Sequence, residues 1–493
     1  MCSIIGYFNF EKIISKTIKS LEILKHRGKN NYGLYFNKKT IFSSTLEDLN
    51  KQTKNLNKQT INFTFAHNLF PLVNNIKQPF KKKGLFITNC EIYNWKELNS
   101  KYNLGAKNDA ELLFLLIEKK GIKNSNDLNK ILKELDGVYA FAYLIENKLI
   151  LVRDILGIKP LFLAYKKGNS FAFASERKAL KDSSFIGELD PQKILEYDLK
   201  TKKITLKTRD FFSLEKELNL NYSQIKQETK EFLFNAIKKR VPDTSKKIGV
   251  LFSGGIDSTF IVIVLKQLNI PFSCYTAKIE GGNIEEAEDL IYAKEIAKKH
   301  NLDLKIISIK TKELESTIIK IMGIIEDSDY IKVSVALPFY LSCIKAKEDG
   351  VEVIFSGLGS EEIFAGYNRH RKTDNINKEC LNGLEILFYR DLYRDDTITM
   401  SQTIELRLPF LDKDLINYAL KIPPKYKINL EEKRNKIILR DIAYEIGIEK
   451  RYSERPKKAA QYGSKFDKGI LRLAKDKKVS KQEYLNRLFN GHN

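Results

Sequence analysis

The 493-residue sequence contains few of the residues that mark secreted, zinc-binding, fibrous or membrane proteins. Its five cysteines are widely spaced and form no CxxC pair. Neither a disulfide framework nor a zinc site is therefore indicated, and a reducing, cytoplasmic setting is expected. With 11 prolines, 25 glycines and 43% hydrophobic residues, the composition is neither disordered nor collagen-like. No apolar run reaches the roughly 18 residues of a membrane span, and the first apolar stretch is too short for a signal peptide.

Acidic residues are also scarce relative to basic ones. The chain has 85 Lys and Arg against 62 Asp and Glu, a formal net charge of +23. Such an excess commonly accompanies nucleic-acid binding. Here the lysines are scattered as pairs and one triplet at 81–83, without the basic-aromatic blocks of RNA-binding modules. We therefore predict no nucleic-acid partner, and we expect the charge to favour ATP and other anions.

The length exceeds that of one hydrophobic core, so two or three domains are expected. Before about residue 210, short punctuated apolar stretches predict strands, with one helix at Asp109–Lys120 that Asp109 can cap. After about residue 220, strands such as KIGVLF alternate with helical patterns at Glu285–Lys299 and Ser334–Glu348. This alternation predicts a parallel doubly wound sheet. The polar segment 205–222 is the predicted boundary, which gives domains 1–210 and 220–493.

A glycine-containing loop in the second half predicts an anion site. In KIGVLFSGGIDS (247–258), a buried strand leads into Ser253-Gly254-Gly255, and a helix follows with Asp257 and Ser258 in its first turn. Glycines let backbone N–H groups approach an anion, and the helix adds its positive N-terminus. The lysine of a Walker A loop is absent. The motif SGGxDS resembles the pyrophosphate loop of N-type ATP pyrophosphatases, whereas an isolated GG pair would be an ordinary turn.

A second glycine turn lies in VIFSGLGSEEIFAGY (353–367), where Ser356-Gly357 precedes an acidic pair that includes Glu361. Ligands bind where neighbouring strands of a parallel sheet end. The two loops are therefore predicted to hold the phosphates and adenosine of ATP between them. Asp257 and Glu361 are the predicted Mg²⁺ ligands, because a phosphate-bridging ion takes few carboxylates. Taken alone, the acidic pair fits a solvated helix start equally well.

The second residue is a cysteine, and removal of the initiator methionine would leave its thiol beside a free α-amine. That pairing activates N-terminal nucleophiles. A cysteine at this position is more often accidental, so the motifs around it decide how it is interpreted.

Nearly the whole chain carries such motifs in a fixed order. They are CSIIGYF (2–8), HRG (26–28), NCEIYNWKEL (89–98), NDAELL (108–113), LDGVYAFAY (135–143), RDILGIKPLF (153–162), FAFASERKAL (171–180), SGGIDS (253–258), SGLGSEEIFAGY (356–367), IELRLPFLD (404–412), KIILR (436–440) and ERPKKAAQYGS (454–464). In these blocks the chain resembles the glutamine-hydrolysing asparagine synthetases, in which a class II glutamine amidotransferase domain precedes an ATP pyrophosphatase domain.

The resemblance implies an N-terminal-nucleophile hydrolase αββα sandwich followed by a doubly wound parallel sheet. It assigns Cys2 as the nucleophile, and it places the Asn89 side chain and the Cys90 N–H in the oxyanion hole. Glu91 and Asp109 would hold the ammonium group of glutamine. Lys457 would stabilise the departing AMP or pyrophosphate. The ATP site implied by the resemblance comprises Leu251, Ser253, Gly254, Gly255, Asp257, Ser258, Ala277, Ser356 and Gly357.

The implied reaction joins the two halves. ATP and Mg²⁺ serve adenylation of a carboxylate, with aspartate as the default acceptor, and ammonia from glutamine attacks the acyl-adenylate after passing through an internal tunnel. The resemblance implies small-molecule substrates and allows a homodimer. Two other interpretations stay open: the same chemistry on a sugar acid or peptide carboxylate, and a degenerate binding protein. A β-lactam-forming role is less favoured, because such relatives often lack the N-terminal cysteine.

Several positions depart from the family pattern. Lys29-Asn30 follow His26-Arg27-Gly28 in place of Pro-Asp, and Leu69 stands where an arginine usually grips the glutamine carboxylate. Losing that charge-assisted pair should weaken glutamine binding or require another anchor. Cys90 replaces a glycine, which keeps the N–H but restricts the backbone. In the second half, Leu358 replaces an acidic residue, which leaves the acceptor open, and Glu361 replaces aspartate.

Overall fold

The computed structural model describes residues 2–56, 60–122, 125–166, 170–243, 245–281, 286–456 and 460–492. The chain divides into two compact units, Met1–Phe211 and Phe212–Asn493, here called the N-terminal and C-terminal units. Across the described ranges, no helix combines the length and apolar character that a membrane span needs.

The N-terminal unit is mainly strands, as its punctuated apolar stretches predicted. The strands are β1 Ser3–Phe8, β2 Asn31–Phe36, β3 Lys39–Ser43, β4 Phe63–Leu69, β5 Phe80–Lys81, β6 Leu85–Ile92, β7 Gly137–Ile145, β8 Lys148–Arg153, β9 Phe162–Lys166, β10 Ser170–Ala174, β11 Phe185–Glu188, β12 Lys193–Asp198 and β13 Ile204–Thr208. The helices are α1 Ile13–Ile23, α2 Leu46–Thr53, α3 Trp95–Tyr102, α4 Asp109–Lys120 and α5 Ser125–Glu134.

Two antiparallel sheets form the centre of this unit. One has the order β11-β9-β10-β1-β4-β2-β3 and the other β13-β12-β8-β7-β6-β5. Apolar side chains of both sheets, such as Phe8 and Leu151, share one core between them. Helix α1 covers the first sheet, where Thr17 Oγ1 lies 2.7 Å from Thr64 Oγ1. The outer face of the second sheet packs on α3, α4 and α5. This helix–sheet–sheet–helix order confirms the predicted αββα sandwich.

Two local features of this unit differ from the sequence predictions. Helix α4 spans the predicted Asp109–Lys120, but its cap is Asn108, whose side chain accepts a hydrogen bond from the Glu111 N–H at 2.8 Å. The Asp109 carboxylate is therefore available for other contacts. Strand β13 overlaps the polar segment 205–222 that was predicted as the domain boundary. It lies at the edge of its sheet, where β12 is its one partner among the described residues, and its Leu206 is 55% exposed. An edge strand with little buried surface gives no strong alternation of apolar and polar residues.

The C-terminal unit alternates strands and helices. Its strands are β14 Ile248–Leu251, β15 Ser273–Glu280, β16 Leu304–Lys310, β17 Val353–Phe355, β18 Glu405–Arg407, β19 Ile428–Asn429 and β20 Arg434–Asn435. Its helices are α6 Tyr222–Lys238, α7 Ile256–Gln267, α8 Glu288–Lys299, α9 Leu314–Ile325, α10 Tyr330–Glu348, α11 Ser360–Ile363, α12 Ile376–Glu385, α13 Tyr393–Ser401, α14 Lys413–Ala419, α15 Ile437–Glu445, α16 Lys450–Ser453, α17 Ala460–Gly463, α18 Phe466–Asp476 and α19 Lys481–His492.

A five-stranded parallel sheet with the order β16-β15-β14-β17-β18 organises this unit, which confirms the predicted doubly wound fold. The chain progresses outward in one direction from β14 to β16 and in the other from β17 to β18, so the strand order reverses between β14 and β17. Helix α10 begins four residues before its predicted start, because Asp329 caps it by accepting from the Lys332 N–H at 2.9 Å. Helix α8 begins at Glu288, and the predicted start at Glu285 lies outside the described residues.

Candidate active sites

Cys2 is buried at the start of β1 and held through its backbone. Its N–H donates to Asn89 Oδ1 at 3.0 Å, and its carbonyl accepts from Arg27 Nε at 3.2 Å. Arg27 is fully buried and donates to Glu176 Oε1 at 2.7 Å. The strand therefore presents Cys2 from a backbone fixed on both sides by buried groups.

Glu176 is the charge that keeps Arg27 in place. Burial alone would raise the pKa of this carboxyl, but the charges of His26, Lys178 and Arg27 outweigh burial and hold its pKa well below the usual value. Breaking a buried ion pair typically costs about 3–5 kcal/mol, so this cluster fixes the Cys2 backbone strongly. The motifs HRG (26–28) and FAFASERKAL (171–180) contain His26, Arg27 and Glu176. The sequence analysis predicted no role for these three residues.

Asn89 lies on β6, fully buried. Because its Oδ1 accepts from Cys2, its Nδ2 is the donor that remains, and within the described residues this atom has no hydrogen-bond partner. A buried donor without a partner is costly, about 1–3 kcal/mol, unless a ligand accepts from it. This arrangement supports the oxyanion-hole role predicted for Asn89.

Asp109 lies beside the next residues of β6. Its Oδ2 accepts from the Ile92 N–H at 3.1 Å and lies 3.6 Å from Cys90 Sγ. Burial and the nearby Glu91 charge raise the pKa of Asp109 to about 7. A buried and a half-buried acidic side chain next to each other suit a substrate ammonium group. Burial and Asp109 also raise the pKa of the Cys90 thiol well above its usual value, so Cys90 stays a neutral thiol, which is a poor nucleophile.

The predicted role of Asp109 in binding the ammonium group of glutamine implies that glutamine affinity increases with pH, because only the ionised carboxylate attracts that group. A carboxyl with a pKa raised to about 7 keeps its proton below that pH. The dissociation constant for glutamine should therefore fall about tenfold between about pH 6 and pH 8. Calorimetric titration in a Cys2→Ala background measures binding without turnover. In Asp109→Asn the pH dependence should vanish, and a flat profile with Asp109 present would contradict the assignment.

Leu69 ends β4 and is buried. Its carbonyl accepts from the Asn30 N–H at 3.1 Å, and its apolar side chain cannot bind a carboxylate. After β4, Gln78 fixes the following loop to β6, since its Nε2 donates to the Thr88 carbonyl at 3.2 Å and its Oε1 accepts from the Thr88 N–H at 2.7 Å. The position expected to carry an arginine is therefore well packed, but it offers no group that could bind the carboxylate of glutamine.

The C-terminal unit contains a second candidate site at the carboxyl ends of β14 and β17, where the strand order reverses and ligands are expected. A cavity of about 650 Å³ opens there. Its lining includes most of the predicted nucleotide-binding residues, namely Leu251, Ser253, Gly255, Asp257, Ser258, Ala277, Ser356 and Gly357. Gly254 is not among them. It has φ +66°, and a Cβ there would lie 2.6 Å from the Ala293 backbone nitrogen of α8, so it shapes the turn.

Helix α7 begins directly after the phosphate loop. Gly255 is its N-cap, and no side chain within the described ranges caps it. The loop is held internally, since Ser258 Oγ donates to the Gly255 carbonyl at 3.2 Å and the Gly255 N–H donates to Ser253 Oγ at 3.4 Å. A helix start without a side-chain cap, in a cavity, suits a phosphate group.

The two predicted metal ligands lie together, with a lysine between them. Lys436 Nζ donates to Asp257 Oδ1 and Oδ2 at 2.7 and 2.8 Å and to Glu361 Oε1 at 2.7 Å. Ser360 Oγ donates to Asp257 Oδ1 at 2.6 Å. Three carboxylate oxygens thus converge on one positive charge, a hard donor set that fits Mg²⁺. Among the residues that the structure describes, no cluster of three or more His, Cys, Asp or Glu side chains could hold a metal, so Mg²⁺ ligation stays a prediction.

Several basic residues that line this cavity had no predicted role, and three of them are Lys436, Arg440 and Arg455. Arg455 Nη1 donates to the Ser253 carbonyl at 3.3 Å and its Nη2 to Asp289 Oδ1 at 2.5 Å. It therefore places a positive charge directly on the phosphate loop. All three lie in the quoted motifs KIILR and ERPKKAAQYGS, but a basic residue is a weak signal in a lysine-rich chain. The predicted Lys457 lies outside the described residues.

Paired charges form another part of the cavity wall. Arg394 donates to Asp395 Oδ1 at 2.7 Å and to Asp391 Oδ1 at 2.9 Å, and Arg390 Nε donates to Asp391 Oδ2 at 2.6 Å. Burial raises the pKa of Asp395 to about 6 although Arg394 opposes the shift. Leu358, half-buried, lines the same cavity, so the cavity wall combines paired arginines with an apolar side chain.

Comparison with known proteins identifies families for both units. The model described as asparagine synthase matches residues 228–382 and 371–491, and a glutamine amidotransferase domain model matches residues 69–182. A putative glutamine-hydrolysing asparagine synthetase of Methanocaldococcus jannaschii is 33% identical over 99% of this chain and 98% of its own. Asparagine synthetase B of Escherichia coli is 26% identical over 90% and 78%. A solved glutamine phosphoribosylpyrophosphate amidotransferase from B. subtilis is 16% identical, with TM-score 0.38, over 72% of this chain and 81% of its own.

Proposed function

The chain belongs to the asparagine synthase family, and from that premise we propose that it is an ATP-dependent, glutamine-hydrolysing synthetase that converts aspartate to asparagine. The observation that carries the proposal is the buried Cys2, whose backbone N–H is hydrogen-bonded to the Asn89 side chain. This contact supports a glutaminase in the same chain as a synthetase domain. ATP is the nucleotide of this family. A cytoplasmic location and a homodimer stay predictions.

In the proposed glutaminase half-reaction, the Cys2 thiol attacks the carboxamide carbon of glutamine. The α-amine released by methionine removal takes the thiol proton and returns it to the departing ammonia. Asn89 Nδ2 and the Cys90 N–H stabilise the oxyanion, while Glu91 and Asp109 bind the substrate ammonium. Water then hydrolyses the thioester to glutamate and restores the thiol.

In the proposed synthetase half-reaction, an aspartate carboxylate oxygen attacks the α-phosphorus of ATP and pyrophosphate leaves. Ammonia then attacks the acyl carbon and AMP leaves. The α7 N-terminus, Arg455 and Lys457 bind the phosphates and stabilise the leaving groups. Asp257 and Glu361 would hold Mg²⁺, which would neutralise phosphate charge when bound.

The acceptor is tested by pyrophosphate release with a panel of carboxylates, namely aspartate, glutamate, a sugar acid and a short peptide, each with ATP and ammonium chloride. Aspartate should support release at least about a hundredfold faster than the other acids. Faster release with a sugar acid or peptide would replace aspartate as the acceptor but keep the chemistry. If no acid supports pyrophosphate release and the protein still binds ATP, the proposal is overturned in favour of a binding protein.

A further inference from the structure

The ammonium group of Lys436 occupies the position between the two predicted metal ligands. Its side chain is 1% exposed and contacts both oxygens of Asp257 and one of Glu361. The residue has φ +57° directly before α15, an uncommon backbone for a side chain other than glycine, asparagine or aspartate. A tightly packed, strained backbone thus holds this lysine on the two carboxylates.

Asp257 and Glu361 also have contacts that do not involve Lys436. Ser360 Oγ holds Asp257 Oδ1 at 2.6 Å, and the backbone carbonyl of Glu361 accepts from the Gly366 N–H at 2.9 Å. Gly366 leaves room for the pair, because a Cβ there would lie 1.6 Å from Glu361 Oε2 and 2.4 Å from Lys436 Cε. If the ammonium moved, the Asp257 carboxylate would therefore keep its bond to Ser360, and the Glu361 backbone would keep its bond to Gly366.

A divalent cation and the ammonium cannot share this position, since like charges about 3 Å apart repel strongly in a buried site. A bare cation would have to displace this tethered charge from both carboxylates. A cation that arrives with a triphosphate brings those anions with it. The order of binding is therefore constrained by the lysine.

We propose that Lys436 is a tethered counter-ion. It reserves Asp257 and Glu361 for a divalent cation that arrives with a nucleoside triphosphate, and it then moves from the carboxylates to the phosphates as a positioning residue. This inference rests on the proposed nucleotide site and is independent of which acid is adenylated.

The test measures Mn²⁺ binding to the full chain by electron paramagnetic resonance, without nucleotide. Wild type should show no site at this position in the sub-millimolar range. In Lys436→Met the two carboxylates lose their counter-ion, so one Mn²⁺ should bind at least about tenfold more tightly. Lys436→Arg keeps the charge and should behave as wild type. In Lys436→Met/Glu361→Gln the new site should be lost.

A non-hydrolysable ATP analogue completes the test, because wild type should then bind one additional Mn²⁺. The inference is overturned if wild type binds Mn²⁺ without nucleotide at a site that Glu361→Gln removes, or if folded Lys436→Met gains nothing. If Lys436→Met does not fold, the inference is tested by Mn²⁺ binding to wild type and to Glu361→Gln. Each protein is then titrated with and without the ATP analogue. These Mn²⁺ measurements need no acceptor acid. If no carboxylate in the panel supported pyrophosphate release, the proposed function would be wrong, but the conclusion about Lys436 would not change.

Discussion

Replacing Cys2 with alanine will abolish glutamine-dependent asparagine formation, by roughly 10³-fold or more, because the only sulfur proposed to attack the carboxamide is removed. Synthesis from ammonium chloride should continue at close to the wild-type rate, since the proposed adenylation site lies in the C-terminal unit. Alanine keeps the backbone N–H that donates to Asn89, and it removes a single buried atom. The two rates are measured side by side with equal nitrogen concentrations.

Cys90→Ala is the matched control for this substitution. Cys90 is a half-buried thiol beside Asp109, but only its backbone N–H has a proposed catalytic role, and alanine retains that group. Glutamine-dependent activity should fall less than about tenfold. If Cys2→Ala still uses glutamine with free ammonia removed, the nucleophile is another group, and equal losses in both variants would indicate damage to the pocket.

The residues of the candidate N-terminal site could be named from the sequence because they lie in the ordered motifs on which the family resemblance rests. Asn89, Cys90 and Glu91 are consecutive on β6, and helix α4 brings Asp109 beside them. Periodicity alone could not show that Asn108, one residue earlier, caps α4 and leaves the Asp109 carboxylate to contact Ile92. Two neighbouring residues with similar cap propensity are distinguished only by the three-dimensional position of β6.

The C-terminal site was predictable only where motifs follow strands. Ser253–Ser258 and Ser356-Gly357 follow β14 and β17, and the strand order brings them together. Lys436 is 179 positions from Asp257, so neither spacing nor charge pattern could join the two. Long-range ion pairs are consequences of the fold, and a sequence containing 85 basic residues gives no reason to single one out.

Gly254→Ala should cause the largest loss of stability of any substitution in the phosphate loop. The backbone has φ +66°, which costs an alanine about 1–2 kcal/mol. The new Cβ would also lie 2.6 Å from the Ala293 nitrogen and 2.9 Å from the Tyr292 carbonyl carbon, so α8 must shift, at about 1–3 kcal/mol. We expect the free energy of unfolding to fall by about 3 kcal/mol, measured from urea transitions followed by circular dichroism.

The adjacent glycine supplies the control for this prediction. Gly255 has φ −75° as the N-cap of α7, and the nearest atom to a Cβ there is Ser253 Oγ at 3.3 Å, the end of a small rotatable side chain. Gly255→Ala should therefore change the free energy of unfolding by less than about 1 kcal/mol. Because phosphates approach this residue in the proposed site, stability is the readout that separates the two glycines. If both variants lose the same stability, the approach of the loop to α8 is not what requires Gly254.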